Sequence, residues 1–261
     1  MRIRPILTIA PLLVAFLLCA APLHAAEPAL FQVGVIDALL AGSYDGSVTL
    51  DELRSRGDFG LGTFQGLDGE LVLLDGVVHQ VPVDGKVRRP SGSLTTPFAQ
   101  VLRFAPGQKV PLAATSSLAA VEAALDARLI DANVFAAVRI DAEFSSLTAR
   151  SVPAQRPPYR PLAEVAKEQA VFPFANARGT LVGLRGPAFA RGLGVPGWHW
   201  HFLTQDRTRG GHVMAFTLAD APQAQLMVLR RLELVLPQAG LAGLDLGRDR
   251  SGELKAVETG K

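Results

Sequence analysis

Cysteine is almost missing from this 261-residue sequence: Cys19 stands alone. One cysteine cannot form an internal disulfide, and it excludes both a disulfide scaffold and a cysteine-built structural zinc site. Histidine is scarce too, with five residues in all. Charged residues make up only 19%, with a net of +2. No basic stripe interleaves with aromatics, so nothing points to nucleic-acid binding. Only the N-terminal segment is both long and apolar, and no other stretch has the length to span a bilayer. A Gly-x-Ser-x-Gly elbow, a phosphate-binding loop and a His-Glu-x-x-His helix are all absent.

What is present begins with Arg2 and Arg4, a mostly apolar run from Ile6 to Ala21, and the small-residue stretch "PLHAAEP". This is the layout of a signal peptide over residues 1–26, with cleavage expected after Ala25 or Ala26. The run is short for a permanent anchor. Leu18 is too large for the site that would lipidate Cys19. Export to the periplasm or the medium is therefore expected. Cleavage would remove two arginines, no acid and the only cysteine, taking the formal charge from +2 to about 0.

The hydrophobic fraction of 49%, with 25 glycines and 18 prolines, favours a packed core built from short strands and turns. "FQVGVIDALLAGSYDG" (31–46) reads as a short helix ending near Gly42. "TLDELRSRGD" offers another, capped by Thr49. Asp68-Gly69, Asp75-Gly76 and Asp84-Gly85 punctuate apolar runs and predict an antiparallel meander over 59–90. "SSLAAVEAALDARLID" is the strongest helix, with Ser116 or Ser117 as cap. "NVFAAVRIDAEF" and "SSLTARSV" read as two strands, and strands dominate 171–237. The proline-rich "VPAQRPPYRP" at 152–161 divides a β-rich N-terminal domain, 27–151, from a β-rich C-terminal domain, 152–261.

The C-terminal part holds "GWHWHFLTQDRTRGGHV" at 197–213, with three of the five histidines. On a strand His199 and His201 share a face, about 6.6 Å apart at two steps of ~3.3 Å, with Trp200 opposite. The polar stretch ending in Gly210-Gly211 can turn the chain back and bring His212 beside them. Three imidazoles with coordination positions to spare suit a catalytic divalent metal, zinc first, although manganese, iron and cobalt accept the same set. No glutamate follows at cupin spacing, and no Asp-His pair follows as in a metallo-β-lactamase. His79 lies far off in the meander and reads as structural or surface.

The sequence resembles the α-acetolactate decarboxylase family. The likeness covers about 31–258 and is carried by "YDG" (44–46), "GDFGLGTFQGLDGE" (57–70), "FAAVRID" (135–141), "RGTLVG" (178–183) and the histidine segment. It implies an α+β fold with two β-rich domains, mixed or antiparallel sheets and a few helices, with the metal between the domains and commonly a homodimer. It implies conversion of 2-acetolactate to acetoin and carbon dioxide through a metal-stabilised enediolate.

Carried over by position, His199, His201 and His212 match the zinc ligands. Glu70 matches an acid at the metal, Arg150 the substrate-binding arginine, and Glu258 a second functional glutamate. Thr63, in the Gly-Thr step, would line the pocket and bind substrate. By position alone, Glu70 reads equally as an exposed carboxylate, Arg150 as a surface pairing residue and Glu258 as part of a frayed tail. Two other functions share the histidines: a zinc hydrolase using metal-bound hydroxide, and an exported metal-binding protein without catalysis.

The decarboxylase chemistry suits these groups. The departing carboxylate needs a two-pronged cation, which an arginine supplies. The electron pair left behind needs a Lewis acid and then a proton from a carboxyl whose pKa is raised. Either Glu70 or Glu258 could give that proton.

Overall fold

The computed structural model describes residues 27–259. The expected signal peptide, 1–26, lies outside the described residues. Among those described, no helix is long and apolar enough to cross a membrane.

The chain opens with β1 (Ala29–Val33), α1 (Ile36–Leu40), β2 (Val48–Thr49), α2 (Leu50–Arg56) and β3 (Phe59–Thr63). The helix expected from Phe31 is thus split. Gln32, Val33 and their neighbours extend as a strand, and only 36–40 coil. Gly34 enforces the break: its φ is +67°, and a side chain there would collide with the Pro97 carbonyl. Thr49 caps α2 as its sequence predicts, its hydroxyl accepting from the Glu52 amide.

β4 (Glu70–Leu74) and β5 (Val77–Val81) complete the meander, followed by β6 (Thr95–Thr96), β7 (Ala99–Leu102) and β8 (Gln108–Pro111). Helix α3 (Leu118–Asp126) starts at Ser117, whose hydroxyl accepts from the Ala120 amide, and buries Val121 and Leu125. The two strands expected next are one, β9 (Phe135–Ser151), because no glycine or proline interrupts Phe144-Ser145. After α4 (Leu162–Val165) come β10 (Ala170–Gly186), β11 (Gly197–Thr204), β12 (Gly210–Leu218), β13 (Gln223–Leu229), β14 (Arg231–Val235) and α5 (Ser251–Thr259).

Two six-stranded sheets result. The first runs β14-β1-β7-β3-β4-β5; the second runs β10-β11-β12-β9-β13-β8. β9 also pairs with β10, Ala136 lying opposite Arg185 and Ser151 opposite Ala170, so β9, β10, β11 and β12 close into a ring of pairings. The sheets do not follow the expected division at 152. The proline-rich segment joins β9 to β10, which are partners in one sheet, while β14 crosses back to pair in parallel with β1 of the other. Extensive β9–β10 pairing and the crossover of β14 override the local proline signal.

The sheets pack face to face through Leu61, Val72 and Leu74 of the first against Val182, Leu184, Leu203 and Met227 of the second. Each such fully buried side chain contributes about 1.5–3 kcal/mol. A separate cluster joins Ile36 and Leu39 of α1, Phe98, Leu162 of α4, and Leu254 and Val257 of α5. This cluster packs the helices beside the site, with Ile36, Leu39, Leu162 and Val257 lining it.

Candidate active site

Alternation along β11 sends His199 and His201 into the interface, while Trp200 packs among the core aromatics on the opposite face. His212 stands directly opposite His201 in the β11–β12 ladder, and Arg150 directly opposite His212 in the β12–β9 ladder. The chain reverses within the expected polar stretch. The turn is made by 205–209, where Asp206 accepts from the Thr204 hydroxyl and the Thr208 amide. Gly210 and Gly211 lie within β12. They are needed for close approach: a side chain at 210 would strike the Phe202 carbonyl, and one at 211 the Arg150 carbonyl.

The first sheet supplies the facing groups. β3 and β4 place Thr63 opposite Glu70, and the Thr63 hydroxyl donates to the Gly69 carbonyl at 2.8 Å, bracing the entry to β4. Glu70 Oε1 accepts from Arg150 Nη1 at 3.5 Å, and its Oε2 lies 3.5 Å from His201 Nε2. The next residue along β4 holds the other side of that ring: His201 Nδ1 donates to the Leu71 carbonyl at 2.8 Å. A carbonyl only accepts, so Nδ1 carries the proton and Nε2 presents its lone pair to the site.

Helix α5 adds the last groups. Arg150 Nη2 donates to the Val257 carbonyl at 3.1 Å, and Glu258 Oε2 lies 3.7 Å from His212 Nε2. All seven residues singled out from sequence, Thr63, Glu70, Arg150, His199, His201, His212 and Glu258, therefore line one pocket. Glu70 and Arg150 are buried, not on the surface as position alone also allowed. Glu258 sits on an ordered helix rather than in a frayed tail. His79, read as structural or surface, is a buried strand residue outside this pocket.

The histidines fit a divalent metal. One ligand atom from each lies within 4.8 Å of the others. His201 Nε2 and His199 Nδ1 are buried without a hydrogen-bond partner, an arrangement that costs free energy unless something occupies the lone pairs. All three rings are held neutral, the form that binds metal. Burial first and then the Arg150 charge lower the His199 pKa to about 3; burial holds His201 and His212 well below the usual histidine range.

The carboxyls shift the other way. Burial pushes both Glu70 and Glu258 up to about 7, Arg150 opposing the rise in each case and Glu258 adding to it at Glu70. Both can hold a proton near neutral pH. Beside this polar cluster runs an apolar wall from Ile36, Leu39, Leu67, Phe98, Leu162 and Val257, which the sequence reading missed. The three-residue spacing of Leu254 and Val257 was the signal for its α5 portion.

These features have relatives. The model of the Alpha-acetolactate decarboxylase family matches residues 30–241, stopping short of α5. The chain is 42% identical over 234 residues to the alpha-acetolactate decarboxylase of Methanosarcina mazei, which covers 89% of this chain and 81% of that protein. It is 39% identical over 238 residues to that of Methylococcus capsulatus, with 91% of each covered. The crystal structure of alpha-acetolactate decarboxylase from Bacillus subtilis strain 168 superposes with a TM-score of 0.85 at 34% identity, covering 88% of this chain and 98% of that one. With its fold and its sequence both matched over most of their length, the chain belongs to the alpha-acetolactate decarboxylase family and is a carboxy-lyase.

Proposed function

We propose that this protein converts 2-acetolactate to acetoin and carbon dioxide, using a divalent metal, zinc first, at His199, His201 and His212. The observation that carries this is Arg150. It is only 3% exposed, beside three metal-competent imidazoles and between two carboxyls that hold protons near neutrality. A metal store would have no use for such an arginine, and hydrolysis by metal-bound hydroxide would not require it.

Arg150 binds the substrate carboxylate by charge-assisted hydrogen bonds. Glu70 and the Val257 carbonyl hold the guanidinium in place. The bond from the carboxylate carbon to C2 breaks, carbon dioxide leaves, and the electron pair stays on C2, delocalising into the adjacent ketone as an enediolate. A metal held by the three imidazoles would supply Lewis-acid stabilisation for this charge. The apolar wall takes the methyl groups and keeps bulk water from the reacting carbon.

A carboxyl then delivers a proton to C2, giving acetoin. We assign this step to Glu258. Its side chain is 21% exposed and can recover a proton from solvent, whereas Glu70 is enclosed between Arg150 and His201. Thr63 serves the site by bracing the Gly69–Glu70 step and lining the substrate's place.

The same reading includes export, supported by the basic, apolar and small-residue order of 1–26, and a homodimer, supported by the family resemblance. N-terminal sequencing from the native host should begin near Ala26 or Glu27, and sedimentation should give twice the chain mass. The activity is tested by incubating the purified protein with racemic acetolactate and assaying acetoin with and without chelator. Acetoin that is abolished by chelator and restored by zinc is the expected result. No acetoin under any metal would refute the proposal.

A further inference from the structure

Side-chain hydrogen bonds cross between the two sheets beside the site. Arg150 of β9 reaches Glu70 of β4, and His201 of β11 reaches the Leu71 carbonyl. Another starts from Ser151, the last residue of β9, which is fully buried and lies outside the pocket. Its hydroxyl donates to the Val81 carbonyl of β5 at 2.8 Å. Ser151 follows Arg150 in the chain, and Val81 stands directly opposite Glu70 in the β4–β5 ladder. The Ser151–Val81 bond therefore spans the same gap as the Arg150–Glu70 contact, as its immediate neighbour on both sheets.

The two contacts differ in firmness. The Ser151 bond has an ordinary hydroxyl–carbonyl length, whereas Arg150 Nη1 is 3.5 Å from Glu70 Oε1, at the outer limit of a hydrogen bond. An arginine and a carboxylate free to approach close into a two-pronged pair at about 2.7–2.9 Å. Here they do not. Arg150 gives Nη2 to the Val257 carbonyl and touches Glu70 through Nη1, and its Nε is buried without a hydrogen-bond partner. A guanidinium in this state keeps a donor for a second carboxylate; one clasped by Glu70 would not. The backbones that carry the two groups are fixed within their own sheets. Arg150 pairs with His212, its carbonyl too close to Gly211 to admit a side chain there, and Glu70 lies between Thr63 and Val81. What remains to be set is the distance from one sheet to the other at this point.

We propose that Ser151 is a positioning residue: by tying the end of β9 to β5 it holds Arg150 at a distance from Glu70 that leaves the guanidinium open to the substrate carboxylate. The proposal rests on the decarboxylase reading for the identity of the substrate, but carboxylate binding tests it apart from turnover.

The test uses the full-length, zinc-loaded protein and reads two quantities. One is KM and kcat for acetolactate. The other is the calorimetric dissociation constant of 2-hydroxy-2-methylpropanoate, which has the carboxylate and hydroxyl of the substrate but no ketone to accept electrons. Ser151→Ala should keep its metal, bind this carboxylate about tenfold more weakly and raise KM about tenfold, with kcat within about twofold, the pattern of lost uniform binding. A structural defect alone would lower the fraction of active enzyme, reducing kcat at constant KM. Ser151→Cys, similar in size but a weak donor, should match Ser151→Ala and decides the matter if that variant does not fold. Ser151→Thr keeps the hydroxyl and should recover most of the affinity. Ser145→Ala, which removes a hydroxyl–carbonyl bond from the same strand away from the pocket, should change neither quantity. In an Arg150→Lys background, adding Ser151→Ala should cost less than about twofold further, since both substitutions act through one guanidinium. Unchanged affinity and KM in Ser151→Ala and Ser151→Cys, a fall in kcat at constant KM, or equal losses in both backgrounds would each overturn the assignment. If the wild type bound the carboxylate but released no acetoin, the decarboxylase reading would fail, while the binding series would still decide the role of Ser151.

Discussion

Arg150 and His212 face one another across the β9–β12 ladder, and both reach the C-terminal helix, Arg150 at the Val257 carbonyl and His212 at Glu258. One cross-strand pair therefore couples the candidate substrate-binding cation, the candidate metal and the last helix of the chain. Arg150→Lys should separate the first two. Lysine keeps the charge but cannot reach the Glu70 carboxyl and the Val257 carbonyl while presenting a planar fork to substrate. The variant should retain its metal and lose about 10²-fold in kcat/KM, about 2.7 kcal/mol of transition-state stabilisation. Steady-state kinetics alongside elemental analysis checks both halves.

Much of this site is visible in the sequence because its spacing is short and regular. His199 and His201 share a face through strand alternation, and the three Asp-Gly steps frame the β3–β4–β5 meander that presents Glu70. Contacts across long separations leave no local trace. Nothing near Arg150 indicates that it lies opposite His212, and nothing in 231–235 says that β14 returns to β1. Gly210-Gly211 looks like a turn because close backbone approach and reversal call for the same residue. The split at Gly34 depends on a carbonyl at residue 97, and α5 stays hidden because only two of its side chains are buried apolar ones.

His201 should be indispensable for metal. Leu71 fixes its tautomer, and its buried Nε2 has no hydrogen-bond partner. His201→Ala should come through purification with little or no divalent metal where wild type retains about one per chain. Removing metal from wild type should also lower the melting temperature, and restoring it at about 1,000 times the dissociation constant should return about 4 kcal/mol. Equal metal content in the two proteins would remove His201 from the ligand set.

The two glutamates should differ. Glu70→Gln keeps a side chain of the same shape against Arg150 but can neither carry charge nor titrate. It should hold metal and fold, with turnover reduced because the group beside Arg150 can then no longer take up or release a proton. Truncation after Lys255 removes Glu258 and the Val257 carbonyl together and should stop proton delivery almost completely. Unchanged turnover by the truncated chain, measured as acetoin formed, would eliminate Glu258 from the mechanism.

The metal-free protein should show a two-stage loss of stability in acid. The site histidines have folded pKa values below their ordinary 6.5, so as pH falls through 6.5 the unfolded chain takes up protons that the folded chain refuses, and stability declines. Glu70 and Glu258 work in the opposite direction. Their folded values near 7 exceed the ordinary 4.5, so between those limits the folded state holds protons that the unfolded state lacks. From 6.5 to 4.5 the histidines draw protons to the unfolded chain while the two carboxyls hold them in the folded one, so the carboxyls offset part of the histidine loss. Below 4.5 the unfolded carboxyls protonate as well, the compensation ends and the decline steepens. His79, lowered by burial, adds to the loss. Glu70→Gln should steepen the upper segment specifically, because it deletes one compensating proton. Melting temperatures of metal-free wild type and variant from pH 8 to 4 measure this; parallel curves between 6.5 and 4.5 would mean that Glu70 does not hold its proton in the folded protein.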